Sequence, residues 1–297
     1  MSSQNYAGTM SLKSKQLWFL ASPLGRLLPD EVFLRWRYRL AFGHLPDLAE
    51  PRSFNEKLQW LKLHDRRPLY HTLVDKVAVK QYVAGLIGAR YVVPTLGVWE
   101  SSDRIDWESL PRQFVLKCSH DSGSALICRD KSSFDRSKAA ELDRSLAVDF
   151  YSLAREWPYK GVPRRILAEE YLGDNIPDYK FFCFDGEPRL MFVASDRTAA
   201  GSETKFDFYD MDFRRLDVRN GHPNSTQPAA RPGCWEEMKE LARSLSAGIP
   251  HVRVDFYEVG GKVYFGEYTF YHWGGMVPFD PPEWDIRIGE MLKCPKL

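Results

Sequence analysis

One stretch near the carboxyl end, VRVDFYEVGGKVYFGEYTFYHWGG at residues 252–275, constrains the fold more than any other part of this sequence. Residues 252–257 and 262–270 are rich in β-branched and aromatic side chains, which favour β-strands. The glycine pair at 260–261 lies between them and can adopt the backbone conformations of a tight turn. The stretch therefore predicts an antiparallel hairpin.

Charged side chains interrupt the two otherwise apolar strands of this hairpin. Because side chains alternate between the faces of a strand, Arg253 and Asp255 point to the same side. Glu267 joins them if the loop has an odd number of residues, such as 259–261 with a glycine in the left-handed conformation. Two carboxylates on one face repel each other unless a cation lies between them, and Mg²⁺ suits such oxygens, with Arg253 free to hold a phosphate. The alternative is an exposed sheet face with ordinary charges.

The composition is that of a folded chain without an overall basic character. Of the 297 residues, 44% are hydrophobic and 27% charged, and 41 Lys and Arg against 40 Asp and Glu give a net charge of +1. Nothing in this balance indicates a nucleic-acid partner. No run of 18 apolar residues occurs, so no transmembrane segment is expected. Five scattered cysteines without a CxxC pair fit a reducing cytoplasm and argue against a zinc site.

The amino-terminal part predicts a tail followed by helices. Residues 1–11 resemble a disordered tail, and residues 12–42 are basic and aromatic, with apolar side chains at helical spacing. Such a segment either touches anionic lipid or packs on its own domain. Ser53 with Glu56 three residues later forms a capping box at the start of another helix. The periodicity breaks at residues 65–72, which marks the predicted domain boundary.

A strand lysine followed by a loop of small residues is the second feature that could carry chemistry. Residues 114–118, FVLKC, predict a short buried strand containing Lys117, and SHDSGSA follows at 119–125. The lysine offers a point charge to a phosphate, and the loop brings backbone N–H groups close to its oxygens. It is not a Walker A loop, which would need GxxxxGK[ST] before a helix. A plain hairpin turn is the alternative.

In chain order, these features resemble the ATP-grasp superfamily of carboxylate–amine ligases. They are DKxxxK at 75–80, the lysine strand with its loop at 117–124, EEYL at 169–172 and RxD…ExT at 253–269. Longer phrases resemble the TupA-like ATP-grasp family in particular: SFNEKLQWLKLHDR, LKCSHDSG, EWPYKG, PDYKFFCFDG and VRVDFYEVGGKVYFGEYTFY. That family is linked to bacterial teichuronopeptide, capsule and other cell-surface polysaccharide synthesis. The resemblance covers roughly residues 30–292.

The resemblance implies an α+β chain with an ATP-grasp fold and an N-terminal helical region. The order of the elements, helices first and antiparallel hairpins last, is also typical of an α+β plan. We expect the tail and helical region at residues 1–72 and the ATP-grasp domain at 73–297. Within that domain, a phosphate-loop subdomain would occupy about 114–172 and a metal-binding subdomain about 173–297.

The resemblance also implies roles for residues by their position. Lys117, with Lys80 or with Lys76 on the same helical face, matches the two lysines that hold the α- and β-phosphates. Residues 119–124 match the flap over the phosphates, and residues 169–172 match the interdomain segment beside adenine. The candidate nucleotide contacts are Lys76, Lys80, Lys117, Ser122, Gly123, Ser124, Glu169, Glu170, Tyr171, Leu172, Asp178 and Lys180.

For the ribose and the metal, the resemblance points to the later strands. Asp178 matches the acidic residue that binds the ribose hydroxyls. Asp255 and Glu267 match the magnesium ligands, and Arg253 matches the phosphate-contacting arginine. Position 269 is usually Asn in the wider superfamily, and Thr269 is a poorer magnesium ligand. ATP and Mg²⁺ are therefore the expected cofactors, and the number of metal ions stays open.

Two further residues complete the catalytic candidates beside Arg253. Arg197, at a strand end, is the preferred holder of a substrate carboxylate, because a guanidinium binds that group through two hydrogen bonds. Structural ion pairing around Asp196 is the alternative. His120, in the predicted flap, either touches the γ-phosphate or is a surface histidine. His222 and His272 are also near loops that could face substrates.

The expected activity is that of a cytoplasmic bacterial ligase in cell-surface polysaccharide synthesis. It would link the amine of an amino acid or amino sugar to an acidic sugar or amino acid through an acyl phosphate. Residues 12–42 are the candidate contact with the inner face of the membrane. A glycosyltransferase of the same pathway is an alternative, and Asp210-Met211-Asp212 is the only DxD triplet it could use. A non-catalytic nucleotide-binding scaffold is the other, left open by Thr269.

Overall fold

The computed structural model describes Leu20, residues 22–195 and residues 203–296. These residues do not include the expected tail at 1–11, positions 12–19 and 21 of the basic segment, or Arg197. None of the helices in the described part of the chain is both long and apolar enough to cross a membrane.

Helices dominate the first part of the chain and strands the second. The helices are α1 (Pro23–Arg26), α2 (Asp30–Phe42), α3 (Phe54–His64), α4 (Leu69–Val74), α5 (Ala78–Ile87), α6 (Ala140–Leu146), α7 (Phe150–Ala154), α8 (Trp235–Ser246) and α9 (Glu283–Met291). The strands are β1 (Thr95–Trp99), β2 (Phe114–Cys118), β3 (Leu126–Cys128), β4 (Ile166–Glu170), β5 (Asp178–Phe184), β6 (Glu187–Ser195), β7 (Lys205–Asp210), β8 (Arg219–Asn220), β9 (His251–Val259), β10 (Lys262–Thr269) and β11 (Phe279–Asp280).

The longer strands form two antiparallel sheets. One has four strands in the order β1-β4-β2-β3, and the other has five in the order β10-β9-β5-β6-β7. A small pair, β11-β8, closes one end. The α+β prediction is confirmed.

Each sheet has its own apolar core. In the five-stranded sheet, neighbouring residues of β5 face opposite sides, so Phe181 stacks on Trp235 of α8 while Phe182 packs against Phe54 of α3. The four-stranded sheet packs through Phe114 against a smaller cluster that includes Leu142 of α6. Helix α3, which precedes the predicted boundary at residue 72, supplies part of the core of the five-stranded sheet.

The predicted helix start at Ser53 is present as a complete capping box. The Ser53 hydroxyl accepts a hydrogen bond from the Glu56 N–H at 3.2 Å, and the Glu56 carboxylate accepts one from the Ser53 N–H at 3.1 Å. Two orphan donors of the first turn of α3 are satisfied in this way. The cap fixes where α3 begins and therefore where Phe54 enters the core.

The turn between β9 and β10 is shorter than the odd-numbered loop considered from the sequence. Val259 pairs with Lys262, so only Gly260 and Gly261 form the turn. Their φ angles are +58° and +76°. Positive φ at both positions is what a type I′ hairpin turn requires, and glycine adopts it without steric strain. The odd-numbered loop, which was the condition for Glu267 to share the face of Asp255, is therefore absent from this hairpin.

A β-bulge, rather than the loop, brings Glu267 to the face of Asp255. Phe265 and Tyr268 pair with residues of β9 that are only two apart, so residues 266 and 267 both lie opposite Asp255. The extra residue changes the alternation of β10. As a result, Phe265 and Tyr268 both stay on the buried face, while Glu267 points to the side of Asp255.

The two sheets approach each other along a cleft. Val92, just before β1, forms an isolated bridge with Phe265 of β10. This contact brings the start of β1, an edge strand of the four-stranded sheet, close to the β9–β10 hairpin. The residues singled out from the sequence lie around this contact.

Candidate functional site

A glutamate on β4 joins two of the predicted phosphate-binding lysines. Val115 of β2 pairs with Glu169, so Lys117, two residues further along β2, lies on the same face as the Glu169 side chain. Lys117 forms an ion pair with one oxygen of the Glu169 carboxylate. Lys80 of α5 forms a second with the other oxygen, at 2.6 Å.

Glu169 and Lys80 lie in buried surroundings, and the pKa values of both side chains are shifted. Burial raises the pKa of Glu169, but Lys117 and Lys80 outweigh it and hold that pKa below its usual range. Burial lowers the pKa of Lys80, and Glu169 opposes this effect. The Lys80 ammonium also donates a hydrogen bond to the Val93 carbonyl at 2.6 Å. Two lysines are thus fixed on one carboxylate.

The loop after β2 is short, and its own side chains fold it. The Ser124 hydroxyl donates to the Asp121 carboxylate at 2.7 Å and accepts from the Cys118 N–H at 2.9 Å. Gly123 has a φ of +95°, which only glycine adopts easily. Ser122 reaches the wall of the larger cavity described below.

His120 does not line either of the two cavities described below. The residue is 3% exposed, and its Nε2 lies 3.2 Å from the carbonyl oxygen of Val148. Burial lowers its pKa, which favours the neutral ring. The structure therefore does not bring His120 together with the other predicted catalytic residues, and it is not the surface histidine considered from the sequence either.

On the five-stranded sheet, two acids and two bases form a buried network. The Arg253 guanidinium donates two hydrogen bonds to the Asp255 carboxylate, at 2.8 and 2.7 Å. Lys180 of β5, in direct register with Asp255, forms an ion pair with it and with Asp178 at 2.6 Å. Burial raises the pKa of Asp255, but Arg253 and Lys180 together hold it below its usual range. The sequence had indicated these four residues without their mutual pairing.

Arg253 also binds the remaining residues of the RxD…ExT segment. Its Nη2 donates to the Thr269 hydroxyl at 2.9 Å and lies 3.6 Å from Glu267 Oε1. The Glu267 side chain is 34% exposed to the cleft, whereas Asp255 is 1% exposed. Glu267 is therefore the more accessible carboxylate of the pair.

A histidine after β10 holds Arg253 from the other side. Arg253 Nη1 lies 2.8 Å from His272 Nδ1, and His272 Nε2 lies 2.8 Å from Asn220 Oδ1. Arginine can only donate, so Nδ1 accepts and Nε2 carries the proton. Burial and the nearby Arg253 charge lower the pKa of His272 well below its ordinary value. A neutral histidine thus orients the guanidinium.

Lys76 lies between the lysine group and the acidic group. Its ammonium donates a hydrogen bond to the Asp121 carbonyl in the loop after β2. Burial lowers the pKa of Lys76; Glu267 is the charge that opposes this effect most, while Lys117 lowers the pKa further. A narrow space beside the three lysines is also lined by Phe265 and Gly266, the neighbours of Glu267. Lys117 and the Asp255–Glu267 pair therefore face one cleft.

A smaller cavity of about 280 Å³ lies between the sheets at one end of this cleft. Val115 and Ile127 form one wall, Tyr257 of β9 contributes to the lining, and residues 169–173 form an edge. Apolar walls beside a main-chain edge fit a flat aromatic base. Lys117 also lines this cavity, so a base there would have its phosphates on the lysine side.

The acidic pair fits Mg²⁺ held jointly with phosphates. No cluster of three or more His, Cys, Asp or Glu side chains suited to a metal ion occurs in residues 20, 22–195 and 203–296. Mg²⁺ usually binds one or two carboxylates and takes its other ligands from phosphates and water. Asp255 and Glu267 supply two such carboxylates, whereas the Thr269 hydroxyl already accepts from Arg253.

A larger cavity of about 520 Å³ opens beside Arg253 and Glu267. Several of its walls are aromatic, and it includes one further acid, Glu156. The sequence reasoning gave no role to Glu156, Tyr159 or Trp273. The phrase EWPYKG at 156–161 contains two of these residues and was the available signal.

The DxD triplet of the alternative function closes a turn. The Asp210 carboxylate accepts hydrogen bonds from the Asp212 N–H at 2.9 Å and from the Arg214 N–H at 2.8 Å. Asp212 pairs with Arg214 at 3.2 Å on the exposed surface. These contacts give both carboxylates of the triplet a structural role at the end of β7.

This chain matches one family profile and resembles several solved structures. The sequence profile of the family described as TupA-like ATPgrasp matches residues 56–293. No protein with a curated functional description matches the chain. Among solved structures, a D-alanine–D-alanine ligase from Bacillus anthracis is 12% identical (TM-score 0.40), and the match covers 67% of this chain and 57% of that one. An L-amino acid ligase from Bacillus licheniformis is 10% identical (TM-score 0.48), with 78% and 51% covered. This chain thus spans little more than half the length of either.

Proposed function

Because this chain belongs to the TupA-like ATP-grasp family, we propose that it is an ADP-forming ligase that joins a carboxylic acid to an amine. One observation carries the proposal. The Lys80–Glu169–Lys117 group on one sheet and the Arg253–Asp255–Glu267 group on the other face the same cleft. A triphosphate between them would meet cations on one side and a metal-holding pair on the other.

The chemistry requires such an arrangement. A carboxylate does not acylate an amine unaided, because its oxygen is a poor leaving group. A carboxylate oxygen first attacks the γ-phosphorus of ATP, the bond to the β-phosphate oxygen breaks, and ADP leaves. The amine then attacks the acyl carbon, the C–O bond to phosphate breaks, and phosphate departs. Since phosphoryl transfer depends mainly on positioning and charge neutralisation, fixed cations suit it.

The nucleotide would occupy the smaller cavity and the lysine group. Adenine would lie between Val115, Ile127 and Tyr257, beside residues 169–172. Lys80 and Lys117 would release part of their hold on Glu169 to bind the phosphates. Lys76 would stand nearest the γ-phosphate, because the charge of Glu267 acts on it more than any other carboxylate does. Lys180 is paired with Asp178 and Asp255, and this supports the proposal that Asp178 and Lys180 contact the nucleotide at the metal side of the cleft.

Asp255 and Glu267 are the proposed holders of Mg²⁺, which when bound would neutralise charge on the phosphate oxygens. Glu267 is exposed enough to bind it directly. Asp255 would exchange part of its contact with Arg253 or Lys180, which frees a guanidinium or ammonium for a phosphate. The loop at 119–124 would cover the phosphates and exclude water, since Ser122 already reaches the larger cavity.

We place the reaction in bacterial cell-surface polysaccharide synthesis, in the cytoplasm or at the inner face of the membrane. The support is the family to which the chain belongs. The substrates would be an acidic sugar or amino acid and an amine from an amino acid or amino sugar. Arg197 and His120 stay predictions as substrate and phosphate contacts.

The test is nucleotide-dependent stabilisation followed by trapping of the activated acid. We expect ATP with Mg²⁺, but not a UDP-sugar, to raise the melting temperature, because a ligand that binds only the native state stabilises it. With a pool of sugar acids and amino acids, hydroxylamine should then yield a hydroxamate together with ADP. Glu267→Gln should abolish both products, while Glu290→Gln, at an exposed position of α9, should retain them.

Two outcomes would overturn the proposal. Stabilisation by a UDP-sugar alone would favour the glycosyltransferase. Stabilisation by ATP without any ADP or hydroxamate would favour a nucleotide-binding scaffold.

A further inference from the structure

A buried carboxylate without a hydrogen-bond donor lines the larger cavity. Glu156 is 9% exposed, and within residues 22–195 and 203–296 no group donates a hydrogen bond to its carboxylate. Its Oε1 lies against the backbone of Gly274, where a Cβ would be only 3.3 Å away. A buried carboxylate normally has a partner, so one without a donor is a candidate ligand contact.

Lys62, the positive charge that acts most strongly on Glu156, makes its hydrogen bonds elsewhere. The Lys62 ammonium donates to the carbonyls of Ala154, at 3.0 Å, and Gly274, at 2.7 Å, and forms no ion pair with Glu156 within 4 Å. Lys62 and Arg37 act on Glu156 only through space. The carbonyls of Ala154 and Gly274 therefore hold the Lys62 ammonium, and the Glu156 carboxylate remains available to a ligand.

Aromatic rings surround Glu156. Tyr159 and Tyr271 line the same cavity, and each is close enough for Glu156 to raise the pKa of its phenol further above the value that burial sets. Neither hydroxyl has a hydrogen-bond partner in the described part of the chain, and Tyr271 is 3% exposed. An acid between aromatic faces is a suitable site for an ammonium, which gains both an ion pair and cation–π contact.

An exposed aromatic wall continues from this acid to the mouth of the cavity. Trp273 is 42% exposed and adopts φ +51°, a left-handed conformation that is strained for a side chain of this size. Its ring stacks at 6.1 Å on Phe206, and His222 lies edge-on to Phe206 at 4.6 Å. Such a wall offers an apolar face with polar groups at its edges, which matches a pyranose ring.

We infer that the larger cavity binds the amine substrate as an amino sugar, with its ammonium at Glu156 and one face of its ring on Trp273 and Phe206. This inference rests on the proposed ligase function, since it names the amine for that reaction. An α-amino acid fits less well, because its carboxylate would need a base. Lys180 and Arg253, which line the cavity, are paired with Asp255, and the proposed function assigns the one that Asp255 releases to a phosphate.

The same carboxylate can take the proton that the amine has to lose. The ammonium passes one proton to Glu156, and the neutral amine attacks the acyl carbon. The N–C bond forms, the C–O bond to phosphate breaks, and the second amine proton leaves with phosphate. Burial raises the pKa of Glu156, with Lys62 of α3 and Arg37 of α2 opposing, while Tyr159 and Tyr271 face it as neutral phenols.

The test compares sugars that differ only in the amino group. D-glucosamine, D-glucose and N-acetyl-D-glucosamine are titrated separately, and binding is measured by saturation-transfer NMR and tryptophan fluorescence. We expect glucosamine to bind at least tenfold more tightly than the other two sugars. Glu156→Gln should remove this preference, and Glu156→Asp should retain part of it. Trp273→Leu should weaken the binding of all three sugars. Glu290→Gln is the control, and the melting temperature of each variant reports whether it folds.

Equal binding of glucosamine and glucose, no binding of either, or an unchanged preference in Glu156→Gln would overturn the inference. Tighter binding of L-alanine or L-lysine than of glucosamine would also overturn it, because the cavity would then select an amino acid. If hydroxamate forms normally but the sugar preference is absent, this inference fails and the ligase stands. If the preference depends on Glu156 but no hydroxamate forms, the ligase fails instead.

Discussion

Arg253 and Asp255 are two residues apart on β9 and form a two-point ion pair on the same face of the strand, at 2.8 and 2.7 Å. With Lys180 on the neighbouring strand, they keep a carboxylate ionised at 1% exposure. Arg253 and Lys180 thus occupy Asp255, and in the proposed function a metal and a nucleotide would compete with them for it.

Removing the charge of Asp255 should destabilise the protein strongly. Asp255→Asn leaves Arg253 and Lys180 buried without their shared counter-charge, and breaking a buried pair in this way typically costs about 3–5 kcal/mol. Urea unfolding at neutral pH measures the change. Asp280→Asn is the matched control, because its ion pair with Arg219 is 60% exposed on both sides and should contribute less than about 1 kcal/mol. Equal losses in both variants would contradict the prediction.

Lowering the pH should reduce the difference in unfolding free energy between wild type and Asp255→Asn. The pKa of Asp255 is lower in the folded protein than in the unfolded chain, so its ionised form stabilises the fold above the unfolded value of about 4. This stabilisation disappears as the pH falls from about 4 through the lower, folded pKa. Unfolding free energies measured at stepped pH should therefore converge in this window. A difference that stays constant down to the acid limit would show that Asp255 is not preferentially ionised in the fold.

Neutralising Lys117 should weaken nucleotide binding while the fold remains. Lys117→Gln loses one charge-assisted contact worth about 1.5–3 kcal/mol, so the Kd for a non-hydrolysable ATP analogue should rise roughly 10- to 100-fold. Calorimetric titration with Mg²⁺ present measures it. Lys262→Gln, at an exposed position of the β9–β10 hairpin, should bind the analogue as wild type does. An unchanged Kd in Lys117→Gln would remove Lys117 from the phosphate site.

The turn after β10 should accept only glycine at position 275. Gly275 has φ +64°, and a Cβ there would lie 2.3 Å from Gln59 Nε2 and 3.0 Å from Leu58 Cβ. Gly275→Ala therefore combines backbone strain of about 1–2 kcal/mol with a clash against α3. Gly43→Ala is the control, since its φ is +84° but no atom lies within 4 Å of its Cβ. We expect the urea midpoint of Gly275→Ala to fall clearly below that of Gly43→Ala.

Local patterns predicted much of the fold because each depends on neighbouring residues. The capping box at Ser53 needs only a four-residue signal, and the Gly260-Gly261 turn needs only two glycines between apolar runs. The strand containing Lys117 and the hairpin containing Asp255 were also visible. Their common cleft followed from the family resemblance rather than from spacing, because spacing does not fix how two sheets meet.

The parts that sequence did not predict depend on register or on distant segments. Glu267 reaches the cleft through a bulge, and strict alternation of side chains cannot show where an extra residue enters a ladder. Residues 169–172 were expected beside adenine, and no pairing of the Glu169 side chain was predicted, although it holds two lysines from different elements. Glu156 and Trp273 meet in one cavity although more than a hundred positions separate them.

The bulge lets the two halves of β10 obey different constraints. Residues 262–265 follow the phase that the two-residue turn sets, which keeps Phe265 inside. Beyond the bulge, Tyr268 remains inside while Glu267 looks outward at Asp255. One residue more in the turn would give Glu267 the same orientation in an unbroken ladder, but it would rotate Phe265 out of the core. Without a bulge, the alternation of side chains along β10 could either bury Phe265 or turn Glu267 toward Asp255, but not both. The bulge shifts this alternation by one residue partway along the strand, so this chain does both.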